Sequence, residues 1–246
     1  MKNTAHWTPS KYTLHKSGLK GSRNTKHVTV SSRLIADIIA AFYTENIPKY
    51  VSGNLLDLGC GMAPLYCLYK DYATDITCVD WGNSMHENSY LDFEQDLNQP
   101  LEVANDTFQA IILSDVLEHI RKPELLLSET HRILQPEGYL LMNVPFFYWL
   151  HEQPFDYYRY TQFALKSMAE DCGYTVIELK PYGGAPEILT DITAKLLKNI
   201  PVVGKLLAML IQKMTWLCIH TTLGKKISAK TAQSFPFGYV MVAQKK

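Results

Sequence analysis

The sequence predicts an α/β fold built on a doubly wound, mostly parallel sheet. Short apolar runs that are typical of buried strands alternate with helical segments of about a dozen residues. Several of these runs end in glycine or in an acidic residue, as happens where an open α/β sheet binds a ligand. The 246 residues suffice for one sizeable core and are short for two full domains.

The predicted strands are short, continuous apolar runs bounded by turn residues. Such runs are typical of strands that are buried on both faces of a parallel sheet. They lie at Leu55–Leu58, Ile76–Val79, Phe108–Leu113, Tyr139–Val144, Tyr174–Leu179 and Gly238–Ala243.

The predicted helices carry apolar residues at a spacing of three or four. Ser31 or Ser32 is the predicted cap of the first helix, which ends at about Thr44. Pro64 suits the first turn of the second helix. The others are Pro123–Leu134, Thr161–Cys172 and a long helical insertion at about 190–228, before the last strand.

The net charge is zero, but the charges are segregated along the chain. Residues 1–33 contain seven lysine or arginine residues and no acid, and residues 192–230 contain seven lysines and no acid. All 24 acidic residues lie in 34–191. The basic segments suit phosphate, anionic lipid or an anionic glycan. The acidic body would repel DNA or RNA, so a nucleic-acid partner is not expected.

The five cysteines form no CxxC pair and are odd in number. This argues against a disulfide framework or a zinc site and favours a reducing compartment. The N-terminus lacks the continuous apolar run of a signal peptide. The longest apolar stretch, 200–219, is interrupted by two lysines and a glutamine, which weakens a membrane-spanning interpretation. We therefore expect a cytoplasmic protein.

The segment Leu55–Pro64 has the pattern of a strand, a glycine turn and a helix start. Gly59 and Gly61 allow a tight turn and the close approach of a ligand, and the helix start favours a carboxylate or phosphate. Asp57 lies two residues before Gly59. Asp80 ends the second strand 21 residues after Gly59, where a ribose diol would lie.

Two alternatives compete with a nucleotide site. Each aspartate taken singly is also a common helix cap or turn former, so the combined spacing carries the prediction. A nicotinamide-dependent oxidoreductase would place a third glycine at position 64, and the proline found there argues against it.

Together these motifs resemble the class I S-adenosylmethionine-dependent methyltransferases, in particular the type 11-like group with an Asp-x-Gly-x-Gly first motif, over about residues 51–180. The resemblance implies a Rossmann-like, seven-stranded sheet, with S-adenosylmethionine as the cofactor and S-adenosylhomocysteine as the product. It also implies a methyltransferase domain over 34–246 and a basic N-terminal arm or lid over 1–33.

The same resemblance assigns residues to the cofactor. Asp57, Gly59 and Gly61 border its methionine part, Asp80 binds the ribose hydroxyls, Asp96 and Leu97 meet the adenine, Ser114 and Asp115 flank the methyl donor, and Cys60 and Trp81 belong to the same site.

Residues 116–120 resemble the segment that starts the helix beside the active site in these methyltransferases. They include Glu118 and His119, which are adjacent and so are not expected to share one helix face. His119 is a candidate general base, because imidazole titrates near neutrality. Alternatively, His119 packs under the cofactor and holds the loop.

Residues 144–161 combine aromatic side chains with a base, a carboxylate and a cation. His151 is the first-choice base, oriented by Asp115 or Asp156. Aromatic faces stack on flat or sugar-like surfaces. The predicted substrate residues are Tyr148, His151, Asp156, Tyr157, Tyr158 and Arg159. The alternative is a structural lid, with its tyrosines in the core and its arginine paired to a carboxylate of the body.

The run His-x-x-Pro-x-Asp-Tyr-Tyr-Arg-Tyr-Thr at 151–161 resembles methyltransferases encoded among bacterial surface-polysaccharide functions. That resemblance implies O-methylation of a sugar, free or in a lipid-linked glycan, and a non-sugar small molecule is the alternative acceptor. No metal is expected, since Glu118 and His119 alone are not a ligand set.

The insertion at 190–228 combines lysines with many large apolar residues. Lys195, Lys198, Lys205 and Gln212 are spaced to lie roughly on one helical face, as in a helix at a membrane interface. We expect a homodimer interface or packing on the body, or else peripheral contact with the inner face of an anionic membrane. The alternative function is not enzymatic: the protein would be a scaffold that keeps the shape of a cofactor site and recruits a partner. The intact glycine and aspartate motif disfavours this alternative.

Overall fold

A computed structural model describes residues 1–82 and 89–246 of the chain. The chain divides into two compact units. The first contains Met1–Thr8, Glu45–Lys180 and Tyr239–Lys246, and the second contains Pro9–Thr44 and Pro181–Gly238.

The described residues form nine strands. They are β1 (Tyr12–His15), β2 (Gly18–Gly21), β3 (Gly53–Leu58), β4 (Ala73–Asp80), β5 (Phe93–Glu94), β6 (Phe108–Ser114), β7 (Leu134–Pro145), β8 (Tyr174–Tyr182) and β9 (Gly238–Lys245).

Seven α-helices and two short 3₁₀ turns complete the described secondary structure. The helices are α1 (Arg33–Tyr50), α2 (Tyr66–Tyr69), α3 (Pro123–Ile133), α4 (Gln162–Asp171), α5 (Ala185–Leu197), α6 (Gly204–Ile219) and α7 (Thr222–Ala232), and the turns are Thr4–His6 and Leu117–His119.

Strands β3 to β9 form one sheet in the order β5-β4-β3-β6-β7-β9-β8. The pairs β3/β4, β3/β6, β4/β5 and β6/β7 are parallel. The predicted α/β class with a mostly parallel, seven-stranded sheet is therefore confirmed. The chain leaves β3 toward one edge and returns to β6 on the other side of β3, so the carboxyl ends of these two strands flank the switch point where such sheets bind ligands.

The central strands are buried on both faces, which explains their continuous apolar runs. Leu55, Leu56, Ile111 and Ile112 are completely inaccessible to solvent. Burying a leucine or isoleucine side chain stabilises the fold by about 1.5–3 kcal/mol relative to leaving it exposed. The core is thus concentrated at the strands that position the glycine turn.

Strand β7 begins earlier than the sequence pattern predicted, at Leu134. Pro136 and Glu137, which has a φ of 65°, lie inside the strand, and its register against β6 shifts between Phe108 and Ala110. Proline is tolerated in a sheet at such an irregularity because the backbone donor that it lacks is not needed there.

The second unit contains a hairpin that the sequence analysis did not predict. Strands β1 and β2 pair antiparallel, with His15 opposite Gly18. Gly18 has a φ of 106°, and a Cβ there would lie 2.3 Å from the Thr44 side chain. Asp37 of α1 accepts hydrogen bonds from the Gly21 amide at 2.9 Å and from Arg23 at 2.7 Å. Residues 9–33 of the basic segment are therefore folded within the second unit, whereas residues 1–8 belong to the first.

The helical insertion is three helices, α5 to α7, rather than one amphipathic face. Lys195 and Gln212 are both buried, and each has a polar partner there. Lys195 pairs with Asp191, and Gln212 accepts from the Leu34 amide and donates to the Val30 carbonyl. The predicted grouping of these two residues with exposed lysines was wrong, since the chain turns between α5 and α6. Among the described residues no single helix is long and apolar enough to cross a membrane; α6 and α7 pass that test only as a pair, bent by 98°.

Candidate active site

The glycine turn follows β3 directly. Gly59 and Gly61 have φ values of 74° and 52°, the left-handed region that favours glycine. A Cβ on Gly59 would lie 2.5 Å from a methyl group of Val116, which lies two residues after the end of β6. The backbone therefore approaches the neighbouring loop as closely as only glycine allows.

Asp57 lies beneath this turn, at the end of β3. Its side chain is buried and accepts a hydrogen bond from the Tyr69 hydroxyl at 2.8 Å. Burial raises the pKa of Asp57 to about 7, although the Tyr69 hydrogen bond opposes the rise. The contact that the structure shows for Asp57 is with α2 beneath the loop.

Asp80 lies at the end of β4 and holds the turn from the other side. Its two carboxylate oxygens accept hydrogen bonds from the Gly61 amide at 2.8 Å and from the Trp81 amide at 2.7 Å. A carboxylate fixed beside a glycine turn fits a nucleoside, because adjacent ribose hydroxyls are donors that it accepts. Cys60, between the two glycines, is buried.

Asp96 and Leu97 lie in the loop after β5. Asp96 Oδ1 accepts from both the amide and the side chain of Asn98, each at 2.9 Å, and so forms a local turn. Leu97 is buried in the core. These contacts match the turn-forming alternative for Asp96 and leave its adenine role a prediction.

Ser114 is the last residue of β6 and Asp115 follows it, and both are held by one amide side chain of β7. Asn143 accepts from the Ser114 hydroxyl at 3.0 Å and donates to Asp115 Oδ1 at 2.5 Å. Asp115 has a φ of 55°, a conformation that costs a non-glycine residue about 1–3 kcal/mol. Such strain is typical of functional sites, and the Asn143 contact helps to maintain it.

Glu118 and His119 lie in the 3₁₀ turn Leu117–His119. His119 Nε2 lies 3.8 Å from Glu118 Oε1, so the two side chains meet. The two side chains therefore lie on the same side of the turn, contrary to the expectation that adjacent residues would not share one helix face. That expectation assumed an α-helix, and a single tight turn does not separate adjacent side chains as a continuous helix does.

His151, from the loop after β7, completes the group. His151 Nε2 lies 3.8 Å from Glu118 Oε1, and the two imidazole rings are 4.7 Å apart between centroids. The half-exposed carboxylate of Glu152 lies 3.7 Å from His119 Nε2. We refer to Glu118, His119, His151 and Asp156 as the histidine–carboxylate cluster. It unites both predicted bases.

Asp156 orients His151. Asp156 Oδ2 lies 3.3 Å from His151 Nδ1 and accepts the His151 backbone amide at 2.9 Å. Arg159 donates to both oxygens of Asp156, at 2.6 and 2.7 Å. Burial opposes ionisation of Asp156, but the hydrogen bonds from Arg159 and the His151 amide outweigh it and lower its pKa to about 2. Of the two orienting carboxylates that the sequence offered, Asp156 has this contact.

Glu118 is the most deeply buried member of the cluster. Its side chain is completely inaccessible, and neither of its oxygens has a hydrogen-bond partner among the described residues. Burial, with the negative charge of Asp115 nearby, raises its pKa well above the usual range. Burial also lowers the pKa of His151, with a smaller contribution from His119. The cluster is thus a desolvated group of ionisable side chains, as functional sites often are.

Aromatic side chains connect the cluster to the cofactor residues. The Trp81 ring packs edge-on against Phe155 at 4.9 Å, and the Phe155 carbonyl lies 2.9 Å from His119 Nδ1. The Tyr148 ring lies 5.2 Å from that of His151. Phe155 therefore links the cluster to Trp81, the residue that follows Asp80.

Tyr157 and Tyr158 contact Arg121. The Arg121 guanidinium donates to the Tyr157 hydroxyl at 2.8 Å, and the Tyr158 hydroxyl donates to the Arg121 carbonyl at 3.0 Å. Tyr160, in contrast, is buried and donates to the Leu117 carbonyl. One tyrosine of this loop is therefore part of the core, as the structural-lid alternative predicted, while Tyr158 is exposed.

Sequence reasoning did not assign Glu118, Asn143, Glu152 or Phe155 to the site. Glu118 carried a signal, since it is an acid within an otherwise apolar segment that precedes a histidine. The role of the Phe155 carbonyl had no sequence signal, because any residue presents the same backbone group.

The comparisons with known proteins identify the family of the chain. The profile of the family described as a methyltransferase domain matches residues 29–179, more than half of the chain. The chain therefore belongs to the methyltransferase-domain family. S-adenosylmethionine is the cofactor that the family and the fold support, as the motifs predicted.

Among the sequence relatives, a thiol S-methyltransferase, TMT1B, from Mus musculus is 30% identical over 117 residues, which cover 42% of this chain and 45% of the relative. The chain therefore matches less than half the length of that curated relative.

Two solved structures share the fold. A SAM-dependent methyltransferase from Archaeoglobus fulgidus has a TM-score of 0.56 and 18% identity, covering 83% of this chain and 92% of that one. The [4+2]-cyclase SpnF also has a TM-score of 0.56, with 15% identity and coverage of 87% and 82%. Because this fold also occurs in a cyclase, the reaction has to be argued from the site.

Proposed function

We propose that the protein transfers the methyl group of S-adenosylmethionine to an oxygen of a small polar acceptor. The observation that carries this proposal is the histidine–carboxylate cluster. It lies after β6 and β7 and contacts Phe155, which packs on Trp81 at the cofactor side. A hydroxyl group needs a base as well as a methyl donor, and this cluster offers one beside the nucleotide motif.

The reaction is a single displacement. An oxygen lone pair of the acceptor forms a bond to the methyl carbon, the carbon–sulfur bond breaks, and its electron pair neutralises the sulfonium to give S-adenosylhomocysteine. The hydroxyl proton passes to a base. Alignment of donor and acceptor lowers the barrier by about 7–11 kcal/mol, and a positioned base adds about 10²–10⁴-fold in rate.

His151 is the proposed base and His119 its alternative. Asp156 holds His151 by its amide and faces its Nδ1, and Arg159 fixes Asp156 in turn. This arrangement directs the other ring nitrogen, Nε2, toward Glu118 and the interior of the cluster. The proposed cofactor residues are those that the resemblance assigned, with Asp80 and the two glycines as the best supported by geometry.

A sugar is the proposed acceptor, free or in a cell-surface or lipid-linked glycan. The loop after β7 exposes the rings of Phe147, Trp149 and Tyr158, and exposed aromatic rings stack on the apolar faces of sugars. The motif at 151–161 adds the resemblance to surface-polysaccharide methyltransferases.

A small thiol is the second candidate acceptor. Its support is the partial match to a relative named as a thiol S-methyltransferase. A thiol has a pKa of about 8.5 and depends less on a base than an alcohol does. The two acceptors therefore predict different sensitivity to loss of His151.

The test is methyl transfer from labelled S-adenosylmethionine to a panel of glycan extracts and small thiols. We expect hydroxyl methylation that falls about 10²–10⁴-fold in His151→Ala and stays unchanged in His15→Ala, which removes an exposed histidine outside the cluster. Full turnover in His151→Ala would reject it as the base. Methylation confined to thiols would replace the sugar with the second candidate, and no turnover with any acceptor would favour the scaffold alternative.

For α5 to α7 we propose an anionic bilayer surface as the partner. The exposed side chains of these helices include Leu196, Leu206, Leu210, Met214, Trp216 and Leu223. The exposed cations among them are Lys205, Lys213, Lys225, Lys226 and Lys230. The acids of this segment, Glu187 and Asp191, are both buried. An exposed apolar surface with cations and no exposed acid matches a bilayer with anionic headgroups.

Vesicle co-sedimentation tests this surface. We expect binding to vesicles that contain phosphatidylglycerol, weaker binding in high salt, and loss of binding in Leu206→Ser/Leu210→Ser and in Lys205→Glu/Lys213→Glu. Phe163→Ser is the control, because Phe163 is also an exposed apolar residue but lies on α4. Failure to bind at low salt, or a dimer in solution that buries these leucines instead, would overturn the bilayer proposal.

A further inference from the structure

We propose that Glu118, His119 and His151 bind a divalent first-row transition-metal ion such as Zn²⁺. The sequence analysis expected no metal, because it considered only the adjacent pair Glu118 and His119. The fold adds a second imidazole from a loop 32 residues further along the chain. One ligand atom from each of the three residues lies within 4.8 Å of the other two.

The distances fit a site that closes slightly around an ion. Glu118 Oε1 lies 3.8 Å from the Nε2 atoms of both histidines. Zinc bonds to imidazole nitrogen and carboxylate oxygen are about 2.1 Å long, so ligands in a tetrahedral site are about 3.4 Å apart. Each distance from Glu118 to a histidine has to shorten by ~0.4 Å to reach that spacing, and the two histidine ligand atoms lie within 4.8 Å of each other.

Both histidines present the required nitrogen. His119 Nδ1 lies 2.9 Å from the Phe155 carbonyl, so Nδ1 carries the proton and Nε2 is left as the ligand atom. His151 Nδ1 faces the carboxylate of Asp156 at 3.3 Å, with Nε2 toward Glu118. Metal-binding histidines almost always have such an outer partner, either a carbonyl or a carboxylate. Here His119 has a carbonyl partner, and the Asp156 carboxylate faces His151 Nδ1 at 3.3 Å without a hydrogen bond.

The burial of Glu118 supplies an independent argument. Its side chain is completely buried, and its two oxygens and His119 Nε2 have no hydrogen-bond partner among the described residues. A buried carboxylate without a donor is costly unless it is protonated or paired with a cation. A metal ion between Glu118 Oε1 and the two Nε2 atoms would give both Glu118 Oε1 and His119 Nε2 a partner.

The ligand set selects the class of ion. Two imidazoles and one carboxylate favour zinc and other first-row transition metals over magnesium and calcium, which prefer sites made of oxygen alone. Three protein ligands also leave a coordination position open, as in catalytic sites.

The role of the ion rests on the proposed function, whereas its binding does not. At the open position the ion would hold the acceptor oxygen and lower the pKa of its hydroxyl. His119 and His151 would then act as ligands, so in the metal-bound protein the hydroxyl proton would leave to Glu152 or to water, and the base role proposed for His151 would apply only to the metal-free protein. Glu152 is half-exposed and lies 3.7 Å from His119 Nε2.

The test is calorimetric titration of chelator-treated, untagged full-length protein with ZnCl₂, repeated with Co²⁺ to record the visible spectrum of the bound ion. We expect one equivalent to bind and a spectrum typical of mixed nitrogen and oxygen ligands. Glu118→Gln, which keeps the side-chain shape, and His151→Ala should each weaken binding more than about 100-fold, and Asp156→Asn about 10–100-fold. His15→Ala, an exposed histidine elsewhere, should bind as the wild type does.

Absence of stoichiometric binding by the wild type would overturn the site, as would unchanged affinity in Glu118→Gln and His151→Ala. Methyl-transfer assays on metal-free and reloaded protein then separate the two proposals. Equal turnover in both forms would reject the role of the ion and leave methyl transfer intact. No turnover in either form would reject the proposed function, while the titration would still decide the site.

Discussion

At the scale of single residues, Asp57 shows how burial changes the chemistry of a motif position. Its side chain is 3% exposed and faces the Tyr69 hydroxyl from α2. Asp80 adds a negative charge from β4, and the thiols of Cys60 and Cys78 lie in the same buried cluster. Desolvation therefore dominates, and the carboxyl group holds its proton up to about pH 7.

This protonation makes stability depend on pH. The folded-state pKa of about 7 exceeds the unfolded value of 3.8, so the stabilisation is fully present below pH 3.8 and is lost as the pH rises through 7. Between pH 5 and pH 8 the free energy of unfolding of the wild type should fall by on the order of 2–3 kcal/mol relative to that of Asp57→Asn, in which residue 57 cannot ionise. Urea unfolding of both proteins at the two pH values measures this, and parallel pH profiles would contradict the assignment.

At the scale of elements, α5 contains an ion pair within the second unit. Lys195 and Asp191 are one helical turn apart and bonded to each other, with side chains that are 7% and 5% exposed. Asp191 Oδ1 has no hydrogen-bond partner among the described residues. Burial lowers the pKa of Lys195 and raises that of Asp191, so removal from water opposes both charges.

Removing one partner of this ion pair should destabilise the protein far more than replacing both partners with apolar residues. Asp191→Ala leaves a buried ammonium and should destabilise the protein by about 3–5 kcal/mol, whereas Asp191→Leu/Lys195→Met should be nearly neutral. Thermal and urea unfolding measure both variants. Glu45→Ala is the matched control, because the Glu45–Lys49 pair has the same spacing in α1 but is half-exposed and should contribute little. Equal losses in Asp191→Ala and Glu45→Ala would reject the burial argument.

At the scale of the whole molecule, ligand binding should be visible in global stability. A cofactor that binds only the folded protein stabilises it by about 2.7 kcal/mol at a concentration 100 times its dissociation constant. We expect S-adenosylmethionine and S-adenosylhomocysteine to raise the melting temperature and NAD to leave it unchanged. Asp80→Ala should abolish the increase, since Asp80 fixes the glycine turn through the Gly61 amide. A shift with NAD alone would contradict the cofactor assignment.

Most of the fold was predictable because the sheet is buried on both faces. The predicted run Leu55–Leu58 became β3 with two added residues, and Phe108–Leu113 became β6 with one. The β1–β2 hairpin was missed because its strands are only four residues long, even though Tyr12 and Leu14 alternate with polar residues and Ser17-Gly18 is a turn signal. The buried Lys195 and Gln212 were misplaced because periodicity within one helix does not show which face another helix will cover.

The sequence by itself determined the class of fold, the glycine turn, the cofactor and the loops that carry the polar residues, because these depend on local pattern and on the ends of parallel strands. Only the tertiary structure decided that Glu118 is buried without a donor, that Asp156 rather than Asp115 faces His151, and that both imidazoles meet one carboxylate. The reason is physical: such contacts join the loops after β6 and β7, and their distances are set by the packing of the sheet rather than by the order of residues along the chain.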